Sequence, residues 1–202
     1  MKKMLFIKAS KDISDLSVID INCHAMCHSI SVKTIEIKSQ DELENELRKL
    51  KEKFDYIYLA AHGNDKQFGD TDNSFILKWE YLGQILCSAD CINEDCIFLL
   101  YCCRGGLNQV AYRLFSSCQQ IQYICGARQK MTNIDLTIGF NVFLYNIECR
   151  HIDPILAAEK ATIATENRFK CFDRLEVESE PIYYYNFCPD CKDDDEEHES
   201  DT

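Results

Sequence analysis

A histidine and a cysteine each stand at the end of an unbroken apolar run, and glycine follows close behind. One run reads Tyr56-Ile57-Tyr58-Leu59-Ala60-Ala61-His62-Gly63; the other reads Cys96-Ile97-Phe98-Leu99-Leu100-Tyr101-Cys102-Cys103-Arg104-Gly105-Gly106. A short apolar run that stops abruptly is the pattern of a strand buried on both faces. Its last residues emerge at the carboxyl edge of the sheet, where open α/β sheets place their sites. One run therefore delivers an imidazole and the other a thiol. A thiol beside an imidazole is a nucleophile beside its base, and the chemistry that pair supports is covalent attack on a carbonyl. Successive strand residues face opposite sides, so only one of Cys102 and Cys103 can face His62 unless the strand ends between them.

The elements that must position these groups alternate between strand and helix. Residues 4–9 form a strand, and Leu16, Ile19, Cys23, Met26 and Ile30 recur as one stripe of a helix. A second strand over 32–37 is followed by Ser39 and Glu42, a capping box ahead of Leu43, Leu47, Leu50 and Phe54. Trp79, Leu82 and Leu86 predict a helix before the thiol strand; Leu107, Val110, Leu114 and Phe115 predict one after it, and 121–126 the next strand. Leu136, Phe140, Phe143 and Ile147 stripe a further helix, Asp153-Pro154 opens another that runs to about Phe169, and 182–187 reads as a last aromatic strand. This alternation predicts an α/β fold: a mostly parallel six-stranded sheet with helices on both faces, in three layers. Residues 64–73 read as an exposed polar loop beside the site, and Asp65, Asp70 and Asp72 give it a negative face that favours basic substrate segments.

Composition sets the class. The hydrophobic content of 46% over 202 residues suits one well-buried core, placed at 1–187, with an acidic tail over 188–202 expected to be disordered. Of the net charge of -12, the segment 192–202 carries -6, with seven acids and one lysine. An acidic body without clustered Lys and Arg excludes nucleic acid as the main partner. Thirteen cysteines would suit a disulfide scaffold in a short secreted chain. Here Met4-Leu5-Phe6-Ile7 is too short for a signal h-region, and no run approaches the ~20 apolar residues of a membrane span. The expectation is therefore a cytoplasmic chain, not membrane-bound, with free thiols acting mostly as small core hydrophobes.

Other constellations are weaker. Cys188 and Cys191 have C-x-x-C spacing, and Cys23-His24-Ala25-Met26-Cys27-His28 could add ligands for a thiol redox or zinc-binding protein. A closed zinc site needs a second well-spaced pair, so Cys23 is read as core packing, and His24 and His28 as a solvated helix face. Gly105-Gly106 is followed by Leu107-Asn108-Gln109 rather than Lys and Ser/Thr, which disfavours a phosphate loop. No metal and no cofactor is expected.

His-Gly after one strand, then an apolar strand ending in Cys103-Arg104-Gly105 with His62 lying 41 positions upstream, resembles the caspase-like cysteine peptidases of clan CD, which include metacaspases, gingipains, separase and bacterial CHAT-type proteases. The resemblance implies a three-layer caspase-like fold and a cysteine endopeptidase. It selects Cys103 as nucleophile and His62 as the proton carrier, with the main-chain N–H groups of Gly63 and Cys103 receiving the oxyanion. Gly63 would let a substrate carbonyl approach, and Gly105 and Gly106 would loosen the turn. Tyr101 stands where caspases carry glutamine and metacaspases aspartate, so neither specificity transfers. Tyr101, Arg104 and Asp65 are the candidate substrate contacts, with a salt bridge holding the loop as the alternative role for Arg104. The resemblance further implies a protein or peptide substrate and control by an activating partner or signal, as in bacterial defence effectors. A catalytically silent interaction module of the same fold is the main rival.

Overall fold

The computed structural model describes residues 1–179. The first half of the chain runs β1 (Lys3–Lys8), α1 (Asp15–Cys27), β2 (Ser31–Glu36), α2 (Gln40–Arg48), β3 (Phe54–Ala60), β4 (His62–Gly63), β5 (Gln67–Gly69), β6 (Ile76–Lys78) and α3 (Trp79–Ser88). The second runs β7 (Ile92–Tyr101), α4 (Asn108–Ser117), β8 (Ile121–Ala127), α5 (Asn133–Glu148), α6 (Pro154–Thr165), β9 (Phe169–Asp173) and α7 (Arg174–Ser179). Six strands build the main sheet in the order β2-β1-β3-β7-β8-β9, parallel except for β9, which pairs antiparallel with β8.

Alternation along the buried strands splits the core into two layers. Leu59, Leu100 and Cys102 face α2, α3 and α4, where they meet Leu43, Leu47, Trp79, Leu82 and Leu114. Tyr58, Ala60 and Tyr101 face α1, α5 and α6, where they meet Ile21, Phe140, Phe143 and Ala157. Helix starts follow the sequence signals. Ser39 Oγ accepts from Glu42 N–H at 3.1 Å, while the Glu42 carboxylate takes the Lys38 N–H at 2.7 Å, one residue earlier than the reciprocal bond of a standard capping box. Asp153 caps α6 through Ile155 N–H, with Pro154 in the first turn.

Three expectations are corrected. Within α1 the expected stripe faces outward: Leu16, Ile19 and Met26 are 77%, 56% and 68% exposed and Cys23 is exposed, whereas Ile21 and Ala25 are buried; Ile30, the stripe's last member, lies past the helix end and is buried. Apolar residues lie all round this helix, so periodicity alone offers two faces. Residues 64–73 are not simply a loop. Gln67–Gly69 is a strand of a small antiparallel sheet, β4-β5-β6, anchored by Phe68, whose ring packs against Trp79 and Phe75. The helix opened by Asp153-Pro154 ends at Thr165 rather than near Phe169, and Phe169–Asp173 is a main-sheet strand instead; the strand expected at 182–187 lies outside the described residues, as do Cys188, Cys191 and the acidic segment 188–202.

Candidate active site

Ala60 and Tyr101 are the last paired residues of β3 and β7, and Ala61 N–H still donates to the Tyr101 carbonyl at 3.2 Å. The two chains leave the sheet side by side, His62 on one and Cys102-Cys103 on the other. Contact continues past the sheet edge: a Cβ on Gly63 would lie 2.9 Å from Cys102 Sγ and 3.2 Å from the Cys103 carbonyl oxygen. Real Cβ atoms do not approach so closely, so the glycine after His62 is what lets the two strand ends touch.

Burial separates the neighbouring thiols. Cys102 is 1% exposed, and its sulfur points into the layer with Leu100 and Leu114. Burial pushes its thiol far above the ordinary range, with the charge of Cys103 adding to the effect, so it stays protonated at neutral pH. Cys103 is only partly buried. Its Sγ accepts from Met131 N–H at 3.4 Å and faces the Met131 carbonyl at 3.7 Å, on the loop between β8 and α5.

The turn carrying Cys103 is held from the same side. Arg104 N–H donates to Gln129 O at 3.2 Å and Gly106 N–H to Ala127 O at 2.7 Å. Arg104 itself has the left-handed backbone, with φ of 60°, while no glycine of the chain has positive φ. Gly105 and Gly106 are therefore not loosening the turn. They make room, since added Cβ atoms would lie 2.7 Å from Leu100 Cβ and 2.2 Å from the Gly126 carbonyl oxygen.

His62 projects into solvent with Nε2 3.5 Å from Asp12 Oδ2, both side chains about half exposed. Asp12 lies just after β1 and accepts from the Thr71 hydroxyl, which ties the two loops together. A cleft of about 230 Å³ opens beside His62, Gly63, Asn64, Gly69, Thr71 and Ile76. The acidic face expected here is partly paired. Lys11 pairs with Asp72 and lies 3.7 Å from Asp70, and the Lys11 hydrogen bond, with those from Ser74, holds the Asp72 carboxyl well below the usual range. Lys11 offsets one of the two carboxylate charges of Asp70 and Asp72, and Asp65 is partly buried in the same loop.

Tyr101 is corrected as a substrate contact. It is buried, and its hydroxyl donates to Asn133 O at 2.7 Å on the α5 side of the sheet. Tyr101→Phe is expected to cost about 1 kcal/mol of stability and to leave peptide turnover unchanged, checked by urea unfolding alongside initial rates. Arg104 sits at the turn, partly buried and engaged with neighbouring groups. Asp12 and the Met131 main chain escape sequence reasoning. The first carries no motif, and the second acts through backbone atoms that any residue supplies.

A second thiol–imidazole pair stands elsewhere. Cys149 Sγ is 3.2 Å from His28 Nδ1 at the end of α5, where Glu148 bonds Lys2 and Tyr56 at the beginnings of β1 and β3. That is the opposite sheet edge from His62 and Cys103. His24 and His28 are thus not a solvated face: His24 is half-buried against α5 and contacts both Asn141 and His28. Among the described residues no group of three or more His, Cys, Asp or Glu is arranged to hold a metal ion, and no helix is long and apolar enough to cross a membrane.

No protein-family profile matches the chain, and no curated protein matches it by sequence. Solved structures do. An inactive zymogen C11 protease from Parabacteroides distasonis superposes with a TM-score of 0.55 at 13% identity, over 88% of this chain and 63% of that one. A secreted C11 cysteine protease from Bacteroides thetaiotaomicron, solved with an irreversible peptide inhibitor, gives 0.60 at 13% identity, over 88% and 67%. The chain thus spans about two thirds of the length of these proteins, and at this identity the likeness is one of fold: the chain has the caspase-like fold of the C11 cysteine proteases.

Proposed function

We propose that the chain is a cysteine endopeptidase, with Cys103 as nucleophile and His62 as its acid–base partner. The observation that carries this reading is the adjacency of the two strand ends, one presenting a partly exposed thiol and the other an imidazole beside an open cleft. In the proposed reaction the Cys103 sulfur adds to the scissile carbonyl carbon as its proton passes to His62. The oxyanion is received by the main-chain N–H groups of Gly63 and Cys103, and His62 returns the proton to the leaving amine. Water then displaces sulfur from the thioester, and the thiol is restored. Before attack the thiol must exchange its hydrogen bonds to Met131 for the substrate carbonyl.

Asp12 enters this reading as a positioning residue that orients the imidazole through a half-exposed carboxylate–imidazole pair. Such pairs contribute at most about 1 kcal/mol, so Asp12→Asn is expected to lower kcat about fivefold with little change in KM. Asp12→Glu should recover part of the loss. Steady-state kinetics on one peptide substrate check both.

The eleven described cysteines are all free thiols, which supports a reducing compartment, and we place the enzyme in the cytoplasm. Its substrates on this reading are proteins or peptides, and an activating partner or signal would supply its control. The test is incubation with a denatured protein under reducing conditions, with the new termini identified by mass. Cleavage at internal peptide bonds that thiol alkylation abolishes is the expected result; an intact substrate under every condition, with the purified chain folded, would overturn the reading.

A further inference from the structure

The helices α1 and α5 run alongside each other in the same direction. Asn141 Nδ2 donates to Asp20 Oδ2 at 2.9 Å, and eight residues further along each helix His28 meets Cys149. The hydrogen positions between these points follow by elimination. The Asn141 carbonyl can only accept, so His24 Nε2, 2.9 Å away, carries a hydrogen. His28 Nε2 lies 3.1 Å from that same nitrogen, faces a donor and is bare. A neutral imidazole bare at Nε2 carries its hydrogen on Nδ1, and that N–H faces Cys149 Sγ at 3.2 Å. Burial first, and the neighbouring His28 second, hold His24 below its ordinary pKa, which keeps this order in place at neutral pH.

A donor fixed on sulfur steadies the negative charge that develops there as the sulfur attacks, because the hydrogen bond strengthens as charge builds. Cys149 is also exposed. Cys23 and Cys27 on the neighbouring helix are exposed as well, but among the described residues their thiols have no hydrogen-bond partner. The chain thus carries its own comparison: three exposed thiols on the neighbouring helices α1 and α5, only one of them with an imidazole donor.

We infer that Cys149, held by His28, is a second reactive thiol, a surface modification site that takes up a low-molecular-weight disulfide by thiol–disulfide exchange. The Cys149 sulfur attacks one sulfur of the disulfide, a new S–S bond forms as the old one breaks, and the departing thiolate takes the proton lost by Cys149. One thiol of the protein is oxidised to the mixed disulfide, and half of the small disulfide is reduced to free thiol. The site lies at the opposite sheet edge from the cleft beside His62, so the small disulfide reaches it without entering that cleft.

The test treats the native protein with an uncharged pyridyl disulfide and maps each modified cysteine by peptide mass over time. Cys149 is expected to react at least about tenfold faster than Cys23 or Cys27. In His28→Phe that lead should vanish while the rates at Cys23 and Cys27 stay as they were. Equal rates at the three thiols in the native protein would overturn the inference without any variant. So would protection of Cys149 that only a chelator relieves, which would identify a metal site instead.

Discussion

Cys103→Ala is expected to abolish peptide hydrolysis, whereas Cys102→Ala retains it within about threefold. The two residues are chemically identical and adjacent, so only their surroundings can separate them. Cys102 sits in the core with its proton held on by burial, where it can neither form a thiolate nor meet a substrate. Its replacement leaves a small void and costs about 1–2 kcal/mol of stability. Cys103 is open to the solvent side and hydrogen-bonded only through its sulfur to one main-chain unit. His62→Ala is expected to lower kcat by about 10²–10⁴-fold, the usual contribution of a positioned acid–base group. Initial rates with one peptide substrate, alongside unfolding midpoints, distinguish chemical loss from instability.

The largest effect on stability is expected from Arg174→Met. This guanidinium is buried at the start of α7 and donates through Nε to Ile121 O at 2.8 Å and through Nη1 to Phe115 O at 3.0 Å, with Nη2 on Cys118 O. It also stacks over the Phe115 ring, 4.8 Å from the centroid. Two of those carbonyls belong to the end of α4, where helix carbonyls lack intrahelical partners. Methionine fills the volume but removes every donor, so three buried carbonyls lose this partner at a total of about 3–5 kcal/mol. For a domain of this size that lowers the thermal midpoint by on the order of 10 °C. Arg174→Lys should fall between, since one ammonium cannot reproduce the planar fork.

The sheet was legible in the sequence because its strands are buried on both faces and read as apolar runs. The ends of β3 and β7, with His62 and Cys103 on them, were legible for the same reason. What escaped did so for identifiable physical causes. The apolar residues of α1 form two stripes, and only packing against α5 decides that Ile21 and Ala25 face inward. The short strands of the small sheet hold three residues or fewer, too few to show a period, and only Phe68 and Leu77 among their side chains are buried. Arg104 takes the left-handed conformation itself, and the adjacent glycines serve close backbone approach instead. Asp12 and Met131 reach the candidate site through loops brought close by the parallel sheet, and neither carries a local signal.

The account depends most on one thiol in the chain being poised for acyl transfer at the end of β7. Intact mass and peptide mapping after treatment with an irreversible, thiol-directed peptide electrophile measure this directly. An adduct on Cys103, formed slowly in His62→Ala and absent from Cys103→Ala whatever forms on Cys149, is the predicted result. An adduct on Cys102, or labelling spread evenly over the exposed cysteines and indifferent to His62, would contradict it.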